Sequence, residues 1–284
     1  MKFLVLGCNG MAGHTISLYL KENGHDVFGF DISKSKYINS IEGDAMNTEF
    51  LRKLILDGKY DSVINCIGIL NKNAEKNKSL STFLNAYLPH FLAETTDATD
   101  TQIIHMSTDC VFSGKTGNYT EDDFCDGETF YDRSKALGEL RDAKNITLRN
   151  SIVGPDINPE GIGLLNWFLQ QKNEVNGFLN SIWTGQTTLQ LAKTMEAAAK
   201  EKASGLYNTV PSFAISKYEL LRLFNHYFKN DTIKINPVDG VCADKSLKRT
   251  KYDFSYLIPD YEKMIYELSQ WVEKHRDMYP HYFI

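Results

Sequence analysis

Short apolar runs, each halted by glycine or an acid and each followed by a stretch of helical period, set the rhythm of the first half of the chain. Residues 2–6 form the first run and stop at Gly7. A helical pattern covers 11–21 with a Gly24 stop, and 27–30 is a second apolar run ending at Asp31. Strand, glycine-rich turn, helix, strand is the opening of a dinucleotide-binding unit. Further along, 48–56 reads as a helix with Thr48 as its N-cap, 62–68 as a buried strand, and 71–79 as a polar loop. A long helix is expected over 80–95, bent near Pro89, with strands at 102–106 and 145–148.

Beyond Gly154 the pattern is less regular. Helices are expected at 162–171, 187–200, 216–228 and 261–275, and extended pieces at 175–179, 205–209 and 233–235. Ser216 is placed to cap its helix, with Glu219 at the capping-box position. The whole predicts an α/β protein: a Rossmann-type doubly wound parallel sheet over 1–150, and a smaller C-terminal α/β substrate-binding lobe over 151–284. Segments such as 187–202 are expected to pack back on the first lobe.

Composition narrows the function classes. With 284 residues there is room for one large α/β domain or two unequal lobes. A net charge of −5 gives no general attraction for nucleic acid or anionic membrane. No apolar run approaches the roughly 18 residues of a membrane-spanning helix, and the apolar start, broken at Gly7-Cys8-Asn9-Gly10, reads as a strand and not a signal peptide. Five scattered cysteines (8, 66, 110, 125 and 242) without a Cys-x-x-Cys pair fit a cytoplasmic protein, and argue against a disulfide framework or structural zinc. The histidines show no metal spacing; His105, inside an apolar strand, is expected to be a hydrogen-bonded core residue.

The chemistry sits at the strand ends. Gly7 allows the tight turn, Gly10 lets a pyrophosphate approach the backbone, and Gly13 lets helix and strand pack closely. Asn9, Gly10 and Met11 then face the phosphates at the helix N-terminus. Asp31, 18 residues past Gly13, is the acid expected to take the adenosine ribose hydroxyls, and Asp44 and Ala45 edge the adenine. Asn85 is expected on the cofactor-facing side of its helix. Tyr131 and Lys135 stand four apart, on one helix face. An ammonium beside a phenol favours the phenolate and makes a proton donor usable near neutral pH.

Taken together, Gly7-x-x-Gly10-x-x-Gly13, Ser107-Thr108-Asp109-x-Val111-Phe112-x-Gly114 and Tyr131-x-x-Ser134-Lys135-x-x-Gly138-Glu139 resemble the extended short-chain dehydrogenases/reductases, and within them the dTDP-4-dehydrorhamnose reductase group. The resemblance extends to Leu148-Arg149-Asn150-Ser151, Gly205-Leu206-Tyr207 and Ser246-Leu247. It implies reduction by NADH or NADPH of a 4-keto group on a nucleotide-activated 6-deoxyhexose, in the biosynthesis of cell-surface polysaccharide. Tyr131 is implied as proton donor, Lys135 as the group holding the nicotinamide ribose and lowering the tyrosine pKa, and Thr108 as a partner of the same carbonyl oxygen. Cys66, Ile67 and Gly68 are implied to line the cofactor, and Asp109, Val111 and Trp183 to meet the substrate. A core role serves Trp183 equally well.

Other readings stay open. The segment Cys242-Ala243-Asp244-Lys245-Ser246-Leu247 lacks the Arg-Pro often found there in relatives, which leaves base and sugar undetermined. A UDP-2-acetamido-2,6-dideoxy-4-hexulose is as reasonable a substrate as a dTDP-linked one, and sugar-nucleotide epimerisation is a further alternative. Cys110 stands where related dehydratases carry a second acid, which demotes water loss. A non-catalytic NAD(P)-binding regulatory subunit is the alternative of another class. The chain is also compatible with a homodimer.

Overall fold

The computed structural model describes residues 1–240 and 243–283. Cys242 of the cysteine set therefore lies outside the described residues. The chain opens with β1 (Lys2–Leu6), α1 (Met11–Glu22), β2 (Asp26–Asp31), β3 (Asn39–Glu42) and α2 (Thr48–Gly58). After β4 (Ser62–Asn65) come α3 (Asn71–Lys76), α4 (Lys78–Ser81), a π-helical turn over Thr82–Tyr87, and α5 (Leu88–Thr96). β5 (Gln102–Ser107) runs into a 3-10 turn (Asp109–Val111), followed by α6 (Phe130–Leu137) and β6 (Ile146–Arg149). The later chain supplies β7 (Ser151–Val153), α7 (Leu164–Leu169), β8 (Glu174–Phe178), β9 (Ser181–Trp183), β10 (Gly185–Thr187) and α8 (Thr188–Glu201). It continues with β11 (Gly205–Asn208), β12 (Ile215–Ser216), α9 (Lys217–Lys229), β13 (Lys234–Val238), β14 (Ala243–Asp244) and α10 (Tyr261–Lys274).

A seven-stranded sheet in the order β11-β6-β5-β4-β1-β2-β3 carries the molecule. All its pairings are parallel. Alternation of side chains along each strand divides the core into two layers. Phe3, Val5, Ile64 and Ile104 point to the face covered by Ile16 of α1 and Leu191 and Met195 of α8. Leu4, Leu6, Val63 and Ile103 point to the other face, against Leu51 and Ile55 of α2 and Leu88, Phe91 and Leu92 of α5. Strand order reverses between β1 and β4, so a crevice opens at the carboxyl ends of those strands. A third core of Leu165, Phe168, Trp183, Leu220, Phe224, Met264, Leu268 and Trp271 gathers α7, α9 and α10.

Two local expectations are corrected, and an irregularity lies close to the bend expected near Pro89. Residues 71–79 are mostly helical: Ala74 is fully buried, and the Lys78 ammonium lies over the Phe130 ring at 5.7 Å. The irregularity in the following helix is the π-helical turn, one turn ahead of Pro89. Pro89 follows two residues after that turn, inside a backbone that stays helical through Ser81, Tyr87 and Leu88, and it has no N–H to give to the preceding turn. Asn47, not Thr48, caps α2, its side chain accepting from the Phe50 amide at 3.2 Å. The Ser216–Glu219 capping box of α9 forms as expected, and α8 is capped by Thr187.

Candidate active site

Close packing shapes the loop between β1 and α1. A Cβ on Gly13 would overlap the Gly7 carbonyl oxygen, so only glycine lets α1 approach the strand end. Gly7 itself takes φ +77°, and its amide donates to Phe30 O at 2.8 Å. Over Gly10 the surface is open: a Cβ there would meet only Gly7 O, at 3.4 Å. No side chain caps α1 among the described residues. Its first amides therefore face the crevice with their partial positive charge, a cradle that fits a dinucleotide's pyrophosphate. Asp31 holds this loop in place, accepting from Asn9 N at 2.9 Å and from Ile32 N at 2.8 Å. The Asn9 side chain donates to Ser33 O at 2.9 Å. His14 fixes the loop from below, bonding Gly10 O at 2.9 Å and the buried Tyr279 hydroxyl at 2.8 Å.

At the end of β4, Cys66 and Ile67 turn under Gly7, with Cys66 O 3.3 Å from where a Gly7 Cβ would stand. Burial pushes the Cys66 thiol up to about 12, so it remains neutral and apolar. Asn85, in the π-helical turn, is fully buried. Its amide accepts from Ile69 N at 2.9 Å, and donates to Ile69 O at 3.0 Å and to Ser81 and Ser134 Oγ at 3.1 Å. The expectation that Asn85 faces the cofactor is corrected. Its bonds go to protein, and it sets the course of the 67–69 loop from behind.

β5 delivers Thr108 and α6 delivers Tyr131 and Lys135. α6 begins in a capping box between Thr129 and Asp132, which fixes the turn carrying Tyr131. The Thr108 hydroxyl donates to Asp109 Oδ1 at 3.1 Å and accepts from Cys110 N at 3.1 Å. Burial drives the Tyr131 phenol well above its ordinary range, with Cys110 adding to the effect, while the Thr108 hydroxyl works in the opposite direction. Lys135 lies over the end of β5, its Nζ donating to Met106 O at 2.7 Å. Burial lowers its pKa to about 8. The expected lowering of the tyrosine by the lysine is corrected: desolvation of the phenol sets the direction, and the influence that opposes it comes from Thr108. Asp109 is buried beside them, its carboxyl raised by burial and pulled back by Thr108 and by Lys245 and Lys217.

Other predicted contacts divide. Asp44 is exposed and accepts from Met46 N at 2.9 Å, while the Ala45 methyl is buried with Phe30 and Leu51. Val111 does not present its side chain to a substrate: it is fully buried with Phe112, Tyr119, Val210 and Leu247. Trp183 is a core residue, its ring 5.5 Å from Tyr261. Both corrections have one cause, since an apolar side chain on a strand or turn goes to whichever face excludes water. The sequence reading passed over Ser107, Glu139 and Arg149 as functional residues. Glu139 Oε1 accepts from Ser107 Oγ and Arg149 Nε, both at 2.8 Å, and Oε2 from Arg149 Nη2 at 2.7 Å. An arginine inside the strand run 146–149 was the available signal, because a buried guanidinium requires an acid. A cavity of about 710 Å³, lined by Val210, Phe213, Lys248 and Tyr252 among others, takes in none of Thr108, Tyr131 and Lys135.

A family model described as "RmlD substrate binding domain" matches residues 1–282. The chain is 34% identical over 143 residues to a probable low-salt glycan biosynthesis reductase of Haloferax volcanii, covering 49% of this chain and 48% of the relative. It is 31% identical over 157 residues to a dTDP-4-dehydrorhamnose reductase of Aggregatibacter actinomycetemcomitans, covering 53% and 51%. The chain spans about half the length of the curated relatives it matches. Among solved structures, a dTDP-4-dehydrorhamnose reductase of Clostridium acetobutylicum superposes with a TM-score of 0.79 at 21% identity, over 96% of this chain and 100% of that one.

Proposed function

The chain belongs to the RmlD substrate binding domain family of extended short-chain dehydrogenases/reductases, and we propose that it is a sugar-nucleotide reductase working with NADH or NADPH on a 4-keto-6-deoxyhexose. One observation carries this reading: Thr108, Tyr131 and Lys135 converge at the carboxyl end of β5, beside a glycine loop built for a pyrophosphate. The reduced nicotinamide supplies the hydride. Tyr131, kept protonated by burial, gives its proton to the carbonyl oxygen, and Thr108 hydrogen-bonds the same oxygen and holds it in place. Lys135 holds the nicotinamide ribose with its ammonium.

The substrate diphosphate falls to Lys217 and Lys245, both of which act on the buried Asp109 carboxyl. Neither is in an ion pair among the described residues, so their charge remains available to an anion. In this reading residues 1–150 hold the cofactor and 151–284 mainly the sugar nucleotide, in a cytoplasmic protein whose homodimer is tested by sedimentation. Oxidation of NADH and NADPH across a panel of dTDP- and UDP-linked 4-keto sugars tests the assignment. Turnover of at least one is expected; oxidation that does not depend on any keto sugar would overturn it.

A further inference from the structure

We propose that Glu139 is a positioning residue of this site: its buried carboxylate ties the ends of β5, β6 and α6 together and is the counter-charge of the Lys135 ammonium. The inference rests on the reductase reading for its catalytic consequence, but its electrostatic part concerns cofactor binding alone. Glu139 lies four residues after Lys135, just past the Gly138 C-cap of α6. From there it takes three bonds of 2.7–2.8 Å, one from Ser107 and two from Arg149. Ser107 immediately precedes Thr108, and the Lys135 ammonium bonds the carbonyl of Met106, the residue before Ser107. One carboxylate therefore fixes the backbone that carries Thr108 and receives the Lys135 ammonium, relative to the helix that carries Tyr131 and Lys135.

The charge side of the argument follows from what surrounds Lys135. Cys66, from the end of β4, faces it as a neutral thiol raised to about 12 by burial. His105, on β5, is kept neutral by burial and by Lys135 itself. Against the desolvation that lowers the lysine, Glu139 is the largest opposing influence. Glu139 is itself faced by fully buried Arg149, by Arg141 at 3.4 Å and by the Cys125 thiol at 3.9 Å. Removing the acid's charge leaves two buried cations, Lys135 and Arg149, without the carboxylate that acts on both. Lys135 then releases its proton at lower pH, and the cofactor loses its ammonium.

The test is the pH dependence of NADH affinity, followed by fluorescence, for wild type, Glu139→Gln and Ser107→Ala, each with its melting temperature. Wild type should lose affinity as pH rises through about 8. In Glu139→Gln the midpoint should fall by a unit or more, a shift that mere loosening of the fold would not produce. A folded Glu139→Gln protein with the wild-type midpoint overturns the proposal. Ser107→Ala removes only the arm towards Thr108. It should keep the midpoint and cofactor affinity but lose about tenfold in kcat, the order of one hydrogen bond's positioning; unchanged kcat overturns the positioning role, and it decides alone if Glu139→Gln does not fold. A wild-type chain that reduces no keto sugar ends the reductase reading and leaves the cofactor titration to judge Glu139.

Discussion

Two residues carry the most exposed claims about chemistry. Tyr131→Phe keeps the ring and its packing but removes the proton, so turnover should fall by roughly 10² or more while NADH affinity changes little. Steady-state kinetics beside a fluorescence titration separates the two effects. For Lys135 the sign of the pH effect is fixed by its burial. Its folded pKa of about 8 lies below the ordinary ammonium value of ~10.4, so between the two the unfolded chain binds more protons. The cost of burying its charge is fully present below pH 8 and is relieved as pH rises towards ~10.4. Stability should therefore gain in that window from this group just as kcat/KM is lost. Lys135→Met should abolish the alkaline limb of the stability profile, lower turnover and weaken cofactor binding; a denaturant midpoint measured from pH 7 to 10 checks the first. Asp31 makes a different prediction. Its carboxylate repels a 2′-phosphate, so NADH should serve at least as well as NADPH, and Asp31→Ala should shift the ratio towards NADPH. Because Asp31 also holds Asn9 N and Ile32 N, that variant should bind both cofactors more weakly. A wild-type preference for NADPH above about a hundredfold, roughly 2.7 kcal/mol, would contradict this.

At the scale of elements, glycine placement and capping decide where the site forms. Gly13→Ala puts a methyl into the Gly7 carbonyl and must displace α1 from the strand end. Cofactor affinity should drop by at least tenfold, and the melting temperature should fall with it, since a displaced α1 also loses fit against α8. The Gly7, Gly10 and Gly13 positions were legible because each glycine answers a local backbone demand that spacing reveals. The capping box of α9 was legible for the same reason, as serine and glutamate three apart meet local amides. What the sequence concealed depends on distant partners. Asn85 looked like a cofactor contact until its amide was seen closed on Ile69, Ser81 and Ser134, which lie up to 49 residues away. Val111 and Trp183 carried motif or lobe positions that suggested a ligand, but the water-excluded face at each point belongs to the core.

For the whole molecule, the doubly wound sheet was predictable from the alternation of runs, while one edge strand was placed by tertiary packing. β11 joins β6 from beyond residue 150, and α8 lies along α1, so later chain completes the layer under the cofactor loop. The same sheet brings Thr108 from β5 and Tyr131 and Lys135 from α6 to one end, where the reaction is proposed to occur. No helix among the described residues is long and apolar enough to cross a membrane. The central claim is that this end of the sheet delivers hydride to a sugar carbonyl with Tyr131 as the acid. Its most direct measurement is deuterium transfer from reduced cofactor labelled at the hydride position to a 4-keto nucleotide sugar, run with wild type and Tyr131→Phe side by side. The account predicts label on C4 of the sugar with wild type, and a rate lower by roughly 10² or more with Tyr131→Phe. Tight cofactor binding without any label transfer across the panel would contradict it and favour a non-catalytic, cofactor-binding role, and transfer at the wild-type rate by Tyr131→Phe would contradict the assignment of the acid.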